Sequence, residues 1–284
     1  MKRLIGLPAA LLLLAAGFSI AFADDAPVPG GRLLRDVAFG SDPAQRFDVY
    51  LPARPVAAPL VVMVHGGGWR NGDKALPSVV GNKARHWLAQ GFIFVSVNNR
   101  LLPAADPLVQ SQDVAHALAE IQRLAPGWGG DPARVILAGH SAGAHLVDLL
   151  AADPARAYAL GALPWRGTLS LDSGAIDTVG LMRLRHAPLF DDAFGADPDF
   201  WRATSPLARL TAQAPPFLLV CSSPRRASCG PNHTFAQKAE GLGVAATVVP
   251  VDLSHREINV ELGLPGAYTD SVDAFLRAAL QAGP

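Results

Sequence analysis

Residues 135–150 read VILAGHSAGAHLVDLL, and this stretch decides the fold. Val135–Ala138 is a short apolar run typical of a buried strand, and the residues from Ala142 onward have the spacing of a helix. Between them, residues 139–143 form a G-x-S-x-G motif placed between strand and helix. That placement predicts a tight turn which exposes the hydroxyl of Ser141 above the edge of a sheet.

The rest of the chain alternates short apolar runs with helix-like stretches. Apolar, β-branched runs predict strands at 47–51, 60–64, 92–97, 135–138, 168–171, 217–220 and 247–251. Helical spacing predicts helices at 83–90, 109–124, 142–152, 234–241 and 268–280. Strands that are apolar on both faces and separated by helices predict an α/β fold with a mostly parallel central sheet and helices on both faces.

Composition and charge exclude several classes of protein. The 284 residues are 50% hydrophobic and 17% charged, which suits a chain that buries a large core and excludes a disordered one. Without Lys2 and Arg3, 22 of the 24 basic residues remain against 24 acidic ones. This balance, with no long run of either sign, gives no support for nucleic acid or an anionic membrane as partner.

The N-terminal residues predict a secretory signal peptide at 1–23. Lys2 and Arg3 precede an apolar run to about Phe22, and Ala21-Phe22-Ala23 provides small residues at a cleavage site. An uncleaved anchor is the alternative, because about twenty apolar residues can span a bilayer. Glycines and a proline inside the run weigh against it. We therefore expect a periplasmic or secreted protein without stable membrane association after cleavage.

The chain contains two cysteines, Cys221 and Cys229, eight residues apart. Export to an oxidising compartment predicts a local disulfide between them. Two unpaired thiols, one of them in a buried strand, are the alternative. The spacing does not match a zinc site, and the sequence implies no metal or organic cofactor.

A glycine run follows the predicted strand at 60–64. Residues 65–69 read HGGGW, and three consecutive glycines allow backbone N–H groups to approach a substrate closely. We expect the N–H groups of Gly67, Gly68 and Ala142 to form an oxyanion hole, and Trp69 to contact substrate. The alternatives are a flexible loop or a phosphate cradle, but the chain has neither G-x-G-x-x-G nor G-K-[ST] here.

A serine nucleophile needs a base, and His255 is the best placed of the eight histidines. It follows the final predicted strand, in the sequence DLSHRE at 252–257. A nucleophilic serine followed late in the chain by a histidine is the order of an α/β-hydrolase triad. The alternative is a structural histidine in a loop.

These residues together resemble a known family. From about Asp48 to the C-terminus, the chain is similar to α/β-hydrolases of the hormone-sensitive-lipase and bacterial feruloyl-esterase-like type, which also include kynurenine formamidases. The resemblance rests on the motifs at 65–69, 130–132 and 139–146, and on His255. It implies the α/β-hydrolase fold and a serine hydrolase mechanism, and it says much less about substrate.

The chain departs from the family pattern at the acid of the triad. Such enzymes usually carry this acid in the loop after the penultimate strand, but residues 221–230 here read CSSPRRASCG. That loop contains no Asp or Glu, and Glu240 is the single carboxylate between 214 and 251. Because the acid orients the imidazole, its loss would lower the rate by about 10⁴.

Several residues could supply the acid. Asp172 is the preferred candidate because it directly follows the predicted strand at 168–171, a position that some lipases of this fold use. It could instead be a turn residue that bonds its own backbone. Asp252 and Asp177 are the other carboxylate candidates. A Ser-His dyad oriented by a backbone carbonyl or by Asn232 is the remaining alternative.

We expect residues 24–284 to form a single α/β-hydrolase domain with a lid-like insertion at about 173–214. That connection is long for this fold and rich in apolar residues, so it could wall a pocket for an aryl or acyl group. The alternative is that these side chains only pack the insertion onto the body of the domain.

The sequence therefore predicts an exported serine hydrolase that cleaves carboxylic esters of small or aryl substrates through an acyl-enzyme. Its partner would be a small-molecule ester, and the oligomeric state cannot be read from the sequence. One alternative is an aryl formamide hydrolase, which uses the same chemistry. Another is a non-catalytic hydrolase-fold protein that binds ligands, and the missing acid is the best support for it.

Overall fold

The computed structural model describes residues 28–225 and 227–281, so the predicted signal peptide lies outside the described residues. Its strands form one sheet. The strands of the described residues are β1 (Arg32–Ala38), β2 (Arg46–Leu51), β3 (Ala58–Val64), β4 (Ile93–Val97), β5 (Gly130–His140), β6 (Gly167–Leu171), β7 (Phe217–Ser222) and β8 (Ala246–Val251).

Helices fill most of the connections. Those of the described residues are α1 (Pro77–Ala89), α2 (Pro107–Leu124), α3 (Ala142–Ala152), α4 (Ala155–Ala159), α5 (Thr178–Met182), α6 (Pro188–Phe194), α7 (Pro198–Ala203), α8 (Pro206–Arg209), α9 (Cys229–Gly241), α10 (His255–Glu261) and α11 (Ala267–Gln281). Within this described part of the chain, no helix is long and apolar enough to cross a bilayer.

The sheet has the order β1-β2-β4-β3-β5-β6-β7-β8. β2 pairs antiparallel with β1 and β4, and the remaining pairs are parallel. The mostly parallel α/β sheet predicted from the sequence is confirmed. Because β3, β5, β6, β7 and β8 run in the same direction, the loops at their carboxyl ends meet at one edge of the sheet.

The core lies on both faces of the sheet. Alternate residues of β3 divide between the faces: Leu60, Val62 and Val64 pack with α2 and α3, whereas Val61 and Met63 pack with α1 and α11. All five side chains are fully buried. This double burial explains why the strand reads as a continuous apolar run.

The structure contains several elements that the sequence did not predict: the short helices α4 to α8, and also β1 and α10. β1 is an edge strand in which only Leu33 is buried, so its sequence lacks the apolar run of the central strands. His255, expected in a loop, is instead the first residue of α10. Ser254 caps this helix in a capping box with Glu257, and the S-x-x-E pattern at 254–257 was the available signal.

A buried carboxyl on α3 gives a prediction about stability. Asp148 is fully buried and accepts a hydrogen bond from Ser170 Oγ at 2.8 Å. Burial raises the pKa of Asp148 from 3.8 to about 7, despite that hydrogen bond. The folded protein therefore retains a proton that the unfolded chain releases near its ordinary pKa, so this carboxyl lowers the free energy of unfolding as pH rises from about 4 to about 7.

We expect Asp148→Asn to stabilise the protein at about pH 8, by up to roughly 4 kcal/mol, and to have much less effect near pH 4.5. The amide has a similar shape and stays neutral at both pH values. Urea unfolding at the two pH values measures this, with the exposed Asp252→Asn as control. An equal change at both pH values would contradict a titrating buried carboxyl.

Candidate active site

Ser141 lies in the tight turn between β5 and α3. Its backbone has φ 56° and ψ −117°, a strained conformation for a residue with a side chain. The turn is tied to its neighbours because Ser141 N–H donates to Leu171 O at 3.0 Å and Gly174 N–H donates to Ser141 O at 3.3 Å. The strand-to-helix turn predicted from the G-x-S-x-G motif is therefore present.

The glycines of this motif are required by close backbone contacts. A Cβ on Gly139 would lie 2.4 Å from Gly143 O, and one on Gly143 would lie 2.4 Å from Val64 O. No side chain fits at such distances. The motif therefore brings β3, β5 and α3 together tightly enough to place Ser141 beside the loop that follows β3.

Ser141, His255 and Asp172 form a continuous hydrogen-bonded row. His255 Nδ1 lies 2.5 Å from Asp172 Oδ2, and His255 Nε2 lies 2.9 Å from Ser141 Oγ. With the Nδ1 proton donated to the carboxylate, Nε2 is free to accept the serine proton. The structure thus brings the three residues together from the ends of β5, β6 and β8.

Asp172 is fully buried and held by several donors. Ser222 N–H donates to Oδ1 at 3.2 Å, Ser228 Oγ donates to the same oxygen, and Arg225 Nη1 donates to Oδ2. Burial by itself raises the pKa of Asp172. The hydrogen bonds from His255 and Ser228 and the charge of Arg225 outweigh that effect and hold the pKa below its ordinary value.

The other candidates for the acid have different partners. Asp252 is exposed, and Asp177 caps α5 by accepting a hydrogen bond from Gly180 N–H at 2.9 Å. Asn232 Nδ2 donates to Ser228 O at 2.8 Å. Of the residues considered from the sequence, Asp172 is therefore the one that the structure places on His255.

The donors to Asp172 come largely from a loop closed by a disulfide. Cys221 at the end of β7 is bonded to Cys229 at the start of α9. We call residues 221–229 the disulfide loop. It is the loop in which the acid was expected, and here it supplies the donors that hold an acid located on the neighbouring strand.

Removing this disulfide should affect both stability and activity. We expect the double variant Cys221→Ala/Cys229→Ala to lower the free energy of unfolding by about 2–3 kcal/mol, because the unfolded chain loses a short covalent loop. It should also lower kcat, since Ser228 and Arg225 would hold Asp172 less firmly. Urea unfolding and ester hydrolysis measure the two effects. An unchanged kcat would show that the loop holds Asp172 without its disulfide.

The glycine run lies beside Ser141, with Gly67 at φ 134° and Gly68 at φ 61°. A Cβ on Gly67 would lie 1.9 Å from Asn71 O, so this turn requires glycine. Within the described residues, the N–H groups of Gly67 and Gly68 donate to no backbone carbonyl outside helices and strands. Ala142 N–H is at the first position of α3, where intrahelical acceptors are absent. These three groups are therefore available to a ligand.

Trp69 is only 2% exposed, so its ring forms part of the wall of the site and offers little surface for direct contact with a substrate. Its Nε1–H donates to His145 Nδ1 at 3.2 Å, and His145 Nε2–H donates to Thr204 O at 2.7 Å. Burial lowers the pKa of His145 to about 4, which keeps the ring neutral and able to accept from Trp69. These bonds connect the glycine run to the insertion at 173–214.

Two further residues at the site were not identified from the sequence. His140 Nε2–H donates to His255 O at 2.9 Å, and burial lowers the pKa of His140 to about 3. Lys83 Nζ donates to the carbonyls of Ser78 and Asn259, which joins α1 to the helix that carries His255. Both residues position α10, and neither contact follows from a local motif.

Two clefts open beside the row, and both are lined by Gly68, Ser141 and His255. One, of about 330 Å³, we call the Phe190 cleft; its other lining residues are Trp69, Gly174, Leu189, Phe190 and Arg225. The second, of about 480 Å³, we call the Asn259 cleft, and it includes His140, Arg256 and Asn259. A reacting carbonyl at Ser141 would therefore have room on both sides. Within the insertion, α6 supplies Leu189 and Phe190.

Comparison with known proteins agrees with this geometry. Residues 47–158 match the BD-FAE family model. Esterase LipC of Mycobacterium tuberculosis is 31% identical over 211 residues, which cover 66% of this chain and 50% of that protein. A probable isoprenylcysteine α-carbonyl methylesterase ICME of Oryza sativa subsp. japonica is 32% identical over 116 residues, covering 40% of this chain and 27% of that protein. The chain thus spans half or less of the length of these curated relatives.

Solved structures show the same fold. Esterase B from Lactobacillus Rhamnosis superposes with a TM-score of 0.71 at 20% identity, covering 89% of this chain and 86% of that one. A carbohydrate esterase from gut microbiota superposes with a TM-score of 0.73 at 17% identity, covering 88% and 96%. The chain therefore has the α/β-hydrolase fold, and its residues 47–158 match the BD-FAE family model.

Proposed function

We propose that this chain is a serine hydrolase of carboxylic esters that works through an acyl-enzyme. The observation that carries the proposal is the row in which His255 lies 2.9 Å from Ser141 Oγ and 2.5 Å from Asp172 Oδ2. The esterase names of the similar proteins support it. A substrate with small or aryl groups fits the apolar wall of the Phe190 cleft.

The proposed reaction has two halves. Ser141 Oγ attacks the ester carbonyl while His255 Nε2 takes its proton, and the N–H groups of Gly67, Gly68 and Ala142 stabilise the oxyanion. His255 then gives the proton to the leaving alcohol. In the second half, water attacks the acyl group with His255 again as base, and Ser141 is released.

The non-catalytic alternative depended on a missing acid. With Asp172 buried beside His255, that support is gone, and a binding protein would have no need of this alignment. The proposal also includes removal of residues 1–23 and a periplasmic or extracellular location, for which the basic start, the apolar run and the small residues at 21–23 are the support.

Labelling with a fluorophosphonate tests the proposal, because this probe reacts with activated serines. The mature protein should label rapidly and hydrolyse 4-nitrophenyl butyrate, and heat-denatured protein should do neither. Folded protein that neither labels nor hydrolyses any ester would overturn the proposal. Sequencing the N-terminus of the exported protein tests cleavage after Ala23.

A further inference from the structure

Arg225 helps to hold Asp172, but neutral donors could do the same, so its charge needs a separate explanation. Its Nη1 donates to Asp172 Oδ2, the same oxygen that faces His255, and lies 2.8 Å from His255 Nδ1. The neutral donors Ser222 and Ser228 already hold the other carboxylate oxygen.

The charge of Arg225 opposes the proposed proton transfer. When His255 takes the serine proton it becomes positive, and a guanidinium in contact with it repels that charge. Arg225 also competes with His255 for Asp172 Oδ2. A residue kept only to fix the carboxylate would serve better without a charge, so the position of Arg225 calls for another role.

Arg225 lines a cleft beside Ser141 and, among the described residues, has guanidinium donors without a partner. Its side chain is 43% exposed, and within the described residues only Nη1 has a hydrogen-bond partner, which leaves Nε and Nη2 available. The residues that line the Phe190 cleft besides Arg225 are apolar side chains, two glycines, and the reactive residues Ser141 and His255. Among these lining residues, Arg225 alone carries a fixed charge.

We propose that the Phe190 cleft binds esters that carry a carboxylate on the portion of the substrate lying in it, and that Arg225 Nε and Nη2 hold this carboxylate. The inference rests on the proposed esterase function. A guanidinium edge pairs with a carboxylate through two parallel hydrogen bonds, and Asp172 with the disulfide loop fixes the guanidinium in advance. The bound carboxylate also neutralises the charge beside His255. Such esters therefore have a higher kcat as well as a lower KM.

Matched pairs of esters test this inference, with the carboxylate on either side of the scissile bond. The first pair is mono-4-nitrophenyl adipate and 4-nitrophenyl hexanoate, which have acyl chains of equal length. The second pair is 4-carboxyphenyl acetate and phenyl acetate. For each pair the ratio of kcat/KM, charged over neutral, is measured for wild type, Arg225→Gln and Arg256→Gln. Taking a ratio cancels any effect of Arg225→Gln on the triad itself.

We expect wild type to favour the charged ester in one pair by about ten- to hundredfold, and that pair then identifies the side that occupies the cleft. Arg225→Gln should bring this ratio close to one. Arg256→Gln removes a charge from the Asn259 cleft and should leave the ratio unchanged.

Three results would overturn the inference while leaving the esterase function intact. They are ratios near one in both pairs for wild type, a ratio that survives Arg225→Gln, and an equal loss in Arg256→Gln, which would indicate a general positive potential. Failure of the wild type to hydrolyse any of the four esters would instead overturn the esterase function, and the inference with it.

Discussion

Replacing Ser141 by alanine should lower kcat for a neutral ester by about 10⁶, the size of effect seen when the nucleophile of a catalytic triad is removed. His255 Nε2 would then face a methyl group, and no acyl-enzyme could form. Residual turnover would come from polarisation of the carbonyl by the N–H groups near Gly67 and from binding in the clefts. Steady-state hydrolysis of 4-nitrophenyl butyrate measures the change.

The variant should remain folded, because the turn is held by backbone contacts and close-packed glycines. Equal urea midpoints for wild type and variant would show this. Ser271→Ala, which removes a partly exposed hydroxyl on α11, is the matched control and should leave kcat unchanged. Full activity in folded Ser141→Ala would refute the nucleophile assignment.

Replacing Asp172 by asparagine should lower kcat by about 10⁴ with little change in volume. The asparagine amide can donate to His255 Nδ1, which moves the ring proton to Nε2 and removes the acceptor for the Ser141 proton. Arg225 would also lose its counter-charge while remaining beside the ring. Fluorophosphonate labelling rates and kcat should fall together.

Asp177→Asn and Asp252→Asn are the controls, since both were candidates for the acid. Asparagine still caps α5 at position 177, so we expect both variants to stay within a few-fold of wild type. A large loss in Asp252→Asn together with an active Asp172→Asn would reverse the assignment.

The parts of the site that depend on local sequence could be predicted. The turn around Ser141 lies between a strand and a helix that adjoin it in sequence, and its motif supplies the two glycines it requires. The conformation of the glycine run depends only on its own backbone. The mostly parallel sheet followed from apolar runs. β1 did not, because an edge strand with one buried side chain has no such pattern.

The acid could not be settled in the same way, because its identity depends on sheet order. β6 lies between β5 and β7, so a residue after β6 reaches the same histidine as one after β7. Nothing local to Asp172 distinguishes it from a turn residue. The contacts of Arg225, His140 and Lys83 likewise join segments far apart in the sequence.

The pair of hydrogen bonds that joins Trp69 to His145 and His145 to Thr204 bears on which step limits turnover. It fixes the insertion to the wall of the glycine run by two buried hydrogen bonds and a neutral ring. The insertion should therefore not swing as a hinged cover, and the binding surface should exist before substrate arrives. The rate of turnover would then be set by the chemical steps and by diffusion of substrate and product through the open clefts, and closure of a lid would not limit it.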